Sequence, residues 1–91
     1  MKTTSTSNVL REAEKIIYGD REKTYGDPGK NLRKIASLWS AYLDHPVSAE
    51  DAAQMMVLLK ISRLINSPGH MDSLTDAAGY LALVERIHAK A

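Results

Sequence analysis

Cysteine is absent from this chain, and so is phenylalanine. Without cysteine there is no disulfide, no thiolate nucleophile and no thiolate metal ligand, and the composition suits a reducing compartment. Aromatic residues are limited to Trp39 and four tyrosines, so the core must be aliphatic. No apolar run approaches the ~18 residues that read as a membrane span. Neither charge dominates: 12 Lys+Arg against 11 Asp+Glu leave a net charge of +1. That balance supplies no long-range pull toward nucleic acid or an anionic membrane. The Thr/Ser-rich start, Met1 to Asn8, has no apolar signal core, so a cytoplasmic location is expected. Dinucleotide, Walker A, HExxH and GxSxG motifs are missing, and the mechanisms they carry have no support.

What is present is helical spacing. With 91 residues the chain is long enough for one small domain, expected over residues 8–91 after a flexible lead of 1–7. A domain of this size buries only about 60–65% of its unfolded surface, so self-association into a homo-oligomer is expected to help cover the rest. The spacing predicts an all-α fold of four helices.

The first helix is expected from about Asn8 to Tyr18, with Val9, Leu10, Ala13, Ile16 and Ile17 apolar and Ser7 or Asn8 as its cap. Gly19 would stop it, and a charged loop runs on to Pro28. Asp27 followed by Pro28 signals the second helix, continuing to Leu43 with a stripe of Leu32, Ile35, Ala36, Trp39, Tyr42 and Leu43. Ser48 and Asp51 resemble a capping box opening the third helix, which continues to about Asn66. That helix is apolar nearly all round, which predicts burial on most sides, as the central helix or at an oligomer interface. The fourth helix is expected from Asp72 or Ser73 to about Ala89, its inner face formed by Leu74, Ala77, Ala78, Leu81, Val84 and Ile87. Gly79 within it sacrifices ~1 kcal/mol of helix propensity against alanine, which hints at close approach by a helix or ligand.

Chemistry concentrates where the third helix gives way to the fourth. Lys60 and Arg63 stand near the end of one helix, and His70, Asp72 and Asp76 near the start of the next, across Pro68-Gly69. Asp72 and Asp76 are four apart, with Tyr80 one turn on, so both carboxylates leave one helix face and could share Mg²⁺. They could equally cap the helix and complement its dipole. Lys60 and Arg63 could take a phosphate, or pair with Asp72 or Asp76. His70 could ligate metal or move a proton, or simply hydrogen-bond at the helix start. His45 and His88 have no acid-rich neighbourhood that singles them out as site residues. In the loop, Arg21, Lys23, Tyr25 and Gly26 have the composition of a phosphate or base contact, or of a solvated connector.

The motifs Thr24-Tyr25-Gly26-Asp27-Pro28, Leu38-Trp39-Ser40-Ala41-Tyr42-Leu43, Glu50 to Leu64 and His70 to Tyr80 resemble a family of small phage and prophage proteins, a domain of unknown function. The resemblance covers about residues 10 to 88. The chain also looks like the nucleotide-modification-associated domain and, more distantly, is similar to the MazG-like all-α nucleotide pyrophosphohydrolases. The latter resemblance implies a helical bundle that forms dimers or tetramers and a Mg²⁺-dependent cleavage of nucleoside triphosphates to monophosphate and pyrophosphate. It also implies an ExxE helix followed by an ExxD helix. Here Glu50 and Asp51 are adjacent, the third helix has no ExxE, and only Asp76 matches the second motif.

The leading expectation is therefore a phage-type nucleotide-binding protein in the host cytoplasm. Arg21, Lys23, Lys60 and Arg63 would meet phosphate, Tyr25 or Tyr80 a base, with His70 nearby, and Asp72 and Asp76 any Mg²⁺. A pyrophosphohydrolase is its catalytic form. The alternatives are a non-catalytic sponge that sequesters a nucleotide signal of antiphage defence, and a helical adaptor that binds a protein. The adaptor requires Met55 and Met56 to be exposed, whereas the apolar pattern assigns them to the core.

Overall fold

A computed structural model describes residues 7–18 and 28–90. Among the described residues four helices follow one another: α1 (Asn8–Tyr18), α2 (Pro28–Leu43), α3 (Ala49–Asn66) and α4 (Met71–Lys90). No strand occurs among the described residues, and the all-α expectation holds. The charged loop from Gly19 to Asp27, with Arg21, Lys23 and Tyr25, lies outside them.

Local chemistry sets the helix ends. The Ser7 hydroxyl accepts from the Leu10 N–H at 3.3 Å and caps α1. At its other end, Arg86 donates to the Ile17 carbonyl at 2.9 Å, placing a cation at the negative pole of the helix. After α2, Asp44 takes a left-handed backbone with φ 53°, and the His45 N–H returns to the Ser40 carbonyl at 3.1 Å. The Ser40 hydroxyl accepts from the Val47 N–H at 2.8 Å and reaches its carbonyl at 3.2 Å, pinning the α2–α3 turn. Ser48 and Asp51 then form a reciprocal capping box: Oγ accepts from the Asp51 N–H at 2.9 Å, and the Asp51 carboxylate from the Ser48 N–H at 3.0 Å. α4 starts at Met71, ahead of the expected Asp72 or Ser73, because His70 supplies its cap.

α4 is the central helix, packing against α1, α2 and α3. This corrects the reading of α3 as the central helix. One buried cluster joins Leu32 and Ala36 of α2 to Ala52 and Ala53 of α3, with Tyr80, Leu83, Val84 and Ile87 of α4 packed against it. Small residues at 52 and 53 let the helices approach closely. α1 docks on another side of α4 through the buried Ala13 and Ile17.

Consequently α3 is not wrapped. Ala52 and Ala53 are its fully buried residues, whereas Met55, Leu58, Leu59, Ile61 and Ile65 are exposed. Two neighbouring helices cannot surround a helix that is apolar on every side, and α1 sits elsewhere. Similarly, Leu10, Tyr42, Leu43 and Leu81, all expected on inner faces, are exposed. The assignment of Met55 to the core is therefore overturned, while Met56 is half-buried.

Gly79 is buried against α1, but a Cβ placed there would meet Ile17 Cδ1 at 3.9 Å, an ordinary contact. Close approach does not require the glycine. Gly79→Ala should thus stabilise the fold by about 0.5–1 kcal/mol through helix propensity, and a lower urea midpoint for the variant would contradict this packing. Ser48→Ala should cost about 1 kcal/mol by the same measurement.

The cap also titrates. Bonds from the Ser48 backbone N–H and then its side chain hold the Asp51 carboxyl below its usual value, with His45 adding to this. A depressed carboxylate stabilises above its unfolded pKa and loses that contribution as pH falls through the folded one. Acidification should accordingly weaken the cap, and Asp51→Asn should show a flatter loss of stability in the acid range.

Candidate functional site

At the junction, Lys60 crosses from α3 to α4 and closes on Asp76, Nζ to Oδ2 2.9 Å. Only 13% and 19% of the two side chains remain exposed. The sequence left metal ligation and ion pairing open for Asp76, and phosphate binding and ion pairing open for Lys60. The structure joins the two residues in one pair. Such a pair gains from the weakened dielectric screening but loses hydration, so its net stabilisation is modest while it is intact. Losing one partner is another matter, because the remaining charge stays in a poorly hydrated place.

Arg63 stands one turn beyond Lys60, with its side chain exposed, and its carbonyl accepts the Ser67 N–H at 3.1 Å. Asp72 is exposed in the first turn of α4, where the helix dipole favours an acid. His70 is committed to structure. Its Nδ1 accepts the Ser73 N–H at 3.3 Å and lies 2.8 Å from the Ser73 hydroxyl. Ser73 itself is buried, and its part in this cap had no signal in the sequence beyond its position three residues after His70. Tyr80 packs against the α2–α3 cluster, so its ring is largely occupied.

Among the described residues, no group of three or more His, Asp or Glu could hold a metal ion. Asp76 already holds an ammonium, so Asp72 and Asp76 alone do not fit a resident Mg²⁺. Arg21, Lys23 and Tyr25 lie outside the described residues, and their relation to the junction is not part of this geometry.

Two further features were not legible in advance. His88, which no acid-rich stretch surrounds, lies 3.0 Å from Glu50 through Nδ1, joining the end of α4 to the start of α3. A cleft of about 300 Å³ opens between α1 and α4, lined by Leu10, Ala13, Glu14, Ile17, Ala78, Ala82 and Glu85. At 100° per residue, Ala78 and Ala82 leave the side of α4 away from Asp76 and Tyr80, so this cleft is separate from the charged junction.

The described residues form four helices with a mostly buried ion pair at one helix junction, and none of these helices is long and apolar enough to cross a membrane. The chain belongs to the family described as domain of unknown function DUF6378, whose model matches residues 8–88. It is 45% identical over 83 residues to the Gene 55 protein of Mycobacterium phage D29, covering 91% of this chain and 55% of that protein. It is 42% identical over 81 residues to the Gene 55 protein of Mycobacterium phage L5, covering 88% and 52%. The chain thus spans about half the length of these curated relatives. No solved structure matches.

If the pair braces the junction, Asp76→Ala should lower the unfolding free energy by about 1–3 kcal/mol, and Lys60→Met with Asp76→Leu should recover to within about 1 kcal/mol of the parent. Chemical denaturation of the three proteins checks this. A silent Asp76→Ala would show the pair to be dispensable.

Proposed function

We propose that this chain is a phage nucleotide-binding protein of MazG-like descent that holds its ligand without hydrolysing it. The reading is supported above all by Lys60, an ammonium kept mostly out of water by a single carboxylate, with Arg63 one turn away on the same helix. The Lys60 ammonium has three N–H donors and Asp76 takes one of them, so a phosphate can share Lys60 without displacing Asp76, while the Arg63 guanidinium takes phosphate oxygens in a fork. The loop bearing Arg21, Lys23 and Tyr25 has the composition to complete such a site.

The engagement of Asp76 by lysine, together with the missing ExxE, favours binding over catalysis. Any Mg²⁺ would then arrive coordinated to the phosphates and not to a protein cluster. A binder of this kind suits sequestration of a nucleotide signal. A protein-binding role has separate support in the exposed outer face of α3, which includes Met55.

The test is thermal shift and product analysis across NTPs, dNTPs and cyclic nucleotides, with and without Mg²⁺. At least one nucleotide should raise the melting temperature and be recovered unchanged, and Arg63→Ala should weaken its binding about tenfold. Pyrophosphate release that disappears in Asp76→Asn would replace binding by hydrolysis. The absence of a shift with every nucleotide would dispose of both.

A further inference from the structure

The outer face of α3 is an uncharged apolar stripe. Gln54, Leu58, Ile61 and Ile65 recur at steps of four, three and four, with Met55, Leu59 and Ser62 beside them. Relative exposures are 64% for Leu58, 76% for Ile65, 45% for Ile61, 44% for Leu59 and 38% for Met55. From Gln54 to Asn66 the charged residues are Lys60, turned inward to Asp76, and Arg63. Alternating steps of three and four are the spacing by which one helix packs its side chains between those of another.

We infer that this face pairs antiparallel with α3 of a second copy of the chain, with Leu58 close to the two-fold axis. Area supports the inference. The five exposed apolar side chains present on the order of 500 Å², against roughly 800 Å² per partner in a stable interface. Their share of such an interface is about 60%, close to the apolar fraction of homodimer interfaces. A two-fold interface must be complementary to itself. A stripe without charge at its centre meets that condition, since no like charges are brought together.

Charge fixes the direction. The first turn of α3 carries Glu50 and Asp51 beside the apolar stripe, and the charges of its last half, Lys60 and Arg63, leave the helix on another side. With Leu58 opposite Leu58 in an antiparallel pair, the two acidic starts lie at opposite ends of the contact and the two helix dipoles oppose. A parallel pair would set acid beside acid and align the dipoles. The net charge of +1 places little repulsion between copies.

Sedimentation velocity of the full chain should show a dimer at micromolar concentration. Leu58→Asp should weaken it at least about 100-fold while leaving helical circular dichroism intact, because the residue is exposed in the single chain. The absence of native cysteine permits a second measurement. Leu58→Cys should be joined by a short bis-maleimide much faster than Leu38→Cys on α2. A monomeric parent, a Leu58→Asp dimer of unchanged strength, or equal crosslinking at both positions would overturn the assignment. None of these readouts depends on nucleotide binding.

Discussion

The close lateral contact of α3 with α4 is the constraint on which the rest depends. Ala52 and Ala53 allow the two backbones near one another, and the Lys60–Asp76 pair fixes the register of that contact at its far end. The short turn from Ser67 to His70 joins the helices so that they must run antiparallel, and His70 closes the first turn of α4. α2 covers the alanine contact from one side and α1 occupies a different side of α4. The fold is therefore built around α4, with α3 held along one of its faces only.

That arrangement accounts for the distribution of large side chains. Alanines occupy the tightest positions, so the bulky aliphatic residues of α3 are left on its outer side. A short chain with a thin core cannot enclose them. The apolar stripe and the charged junction thus belong to the same helix but to different faces, and a ligand at one leaves the other available.

The helix boundaries were legible where they rest on local chemistry. Ser48 and Asp51 announce their reciprocal cap, and α2 and α3 end where their turn residues indicate. The start of α4 was displaced because histidine as a cap carries a weak signal, unlike serine or aspartate. Burial was harder to read. Apolar composition records what α3 could bury but not how many helices stand ready to cover it, so the pattern points Met55 inward although it is exposed. At the junction, the meeting of Lys60 and Asp76 was one of several pairings open to four charged residues across a short turn. The Glu50–His88 contact joins residues far apart in the chain and has no local signature.

The placement of α1 has a consequence for how the molecule opens. α1 is held chiefly by α4, through Ala13, Ile17 and the Arg86 bond to the Ile17 carbonyl, whereas α2, α3 and α4 share one cluster. Regions attached through a single partner exchange their amides through partial unfolding well below the global free energy. α1 is accordingly the natural first unit to detach, and its release would bare the Ala78–Gly79–Ala82 side of α4 while the α3–α4 junction stays assembled. The chain then has two levels of cooperativity within one small domain: a labile outer helix and a persistent three-helix remainder.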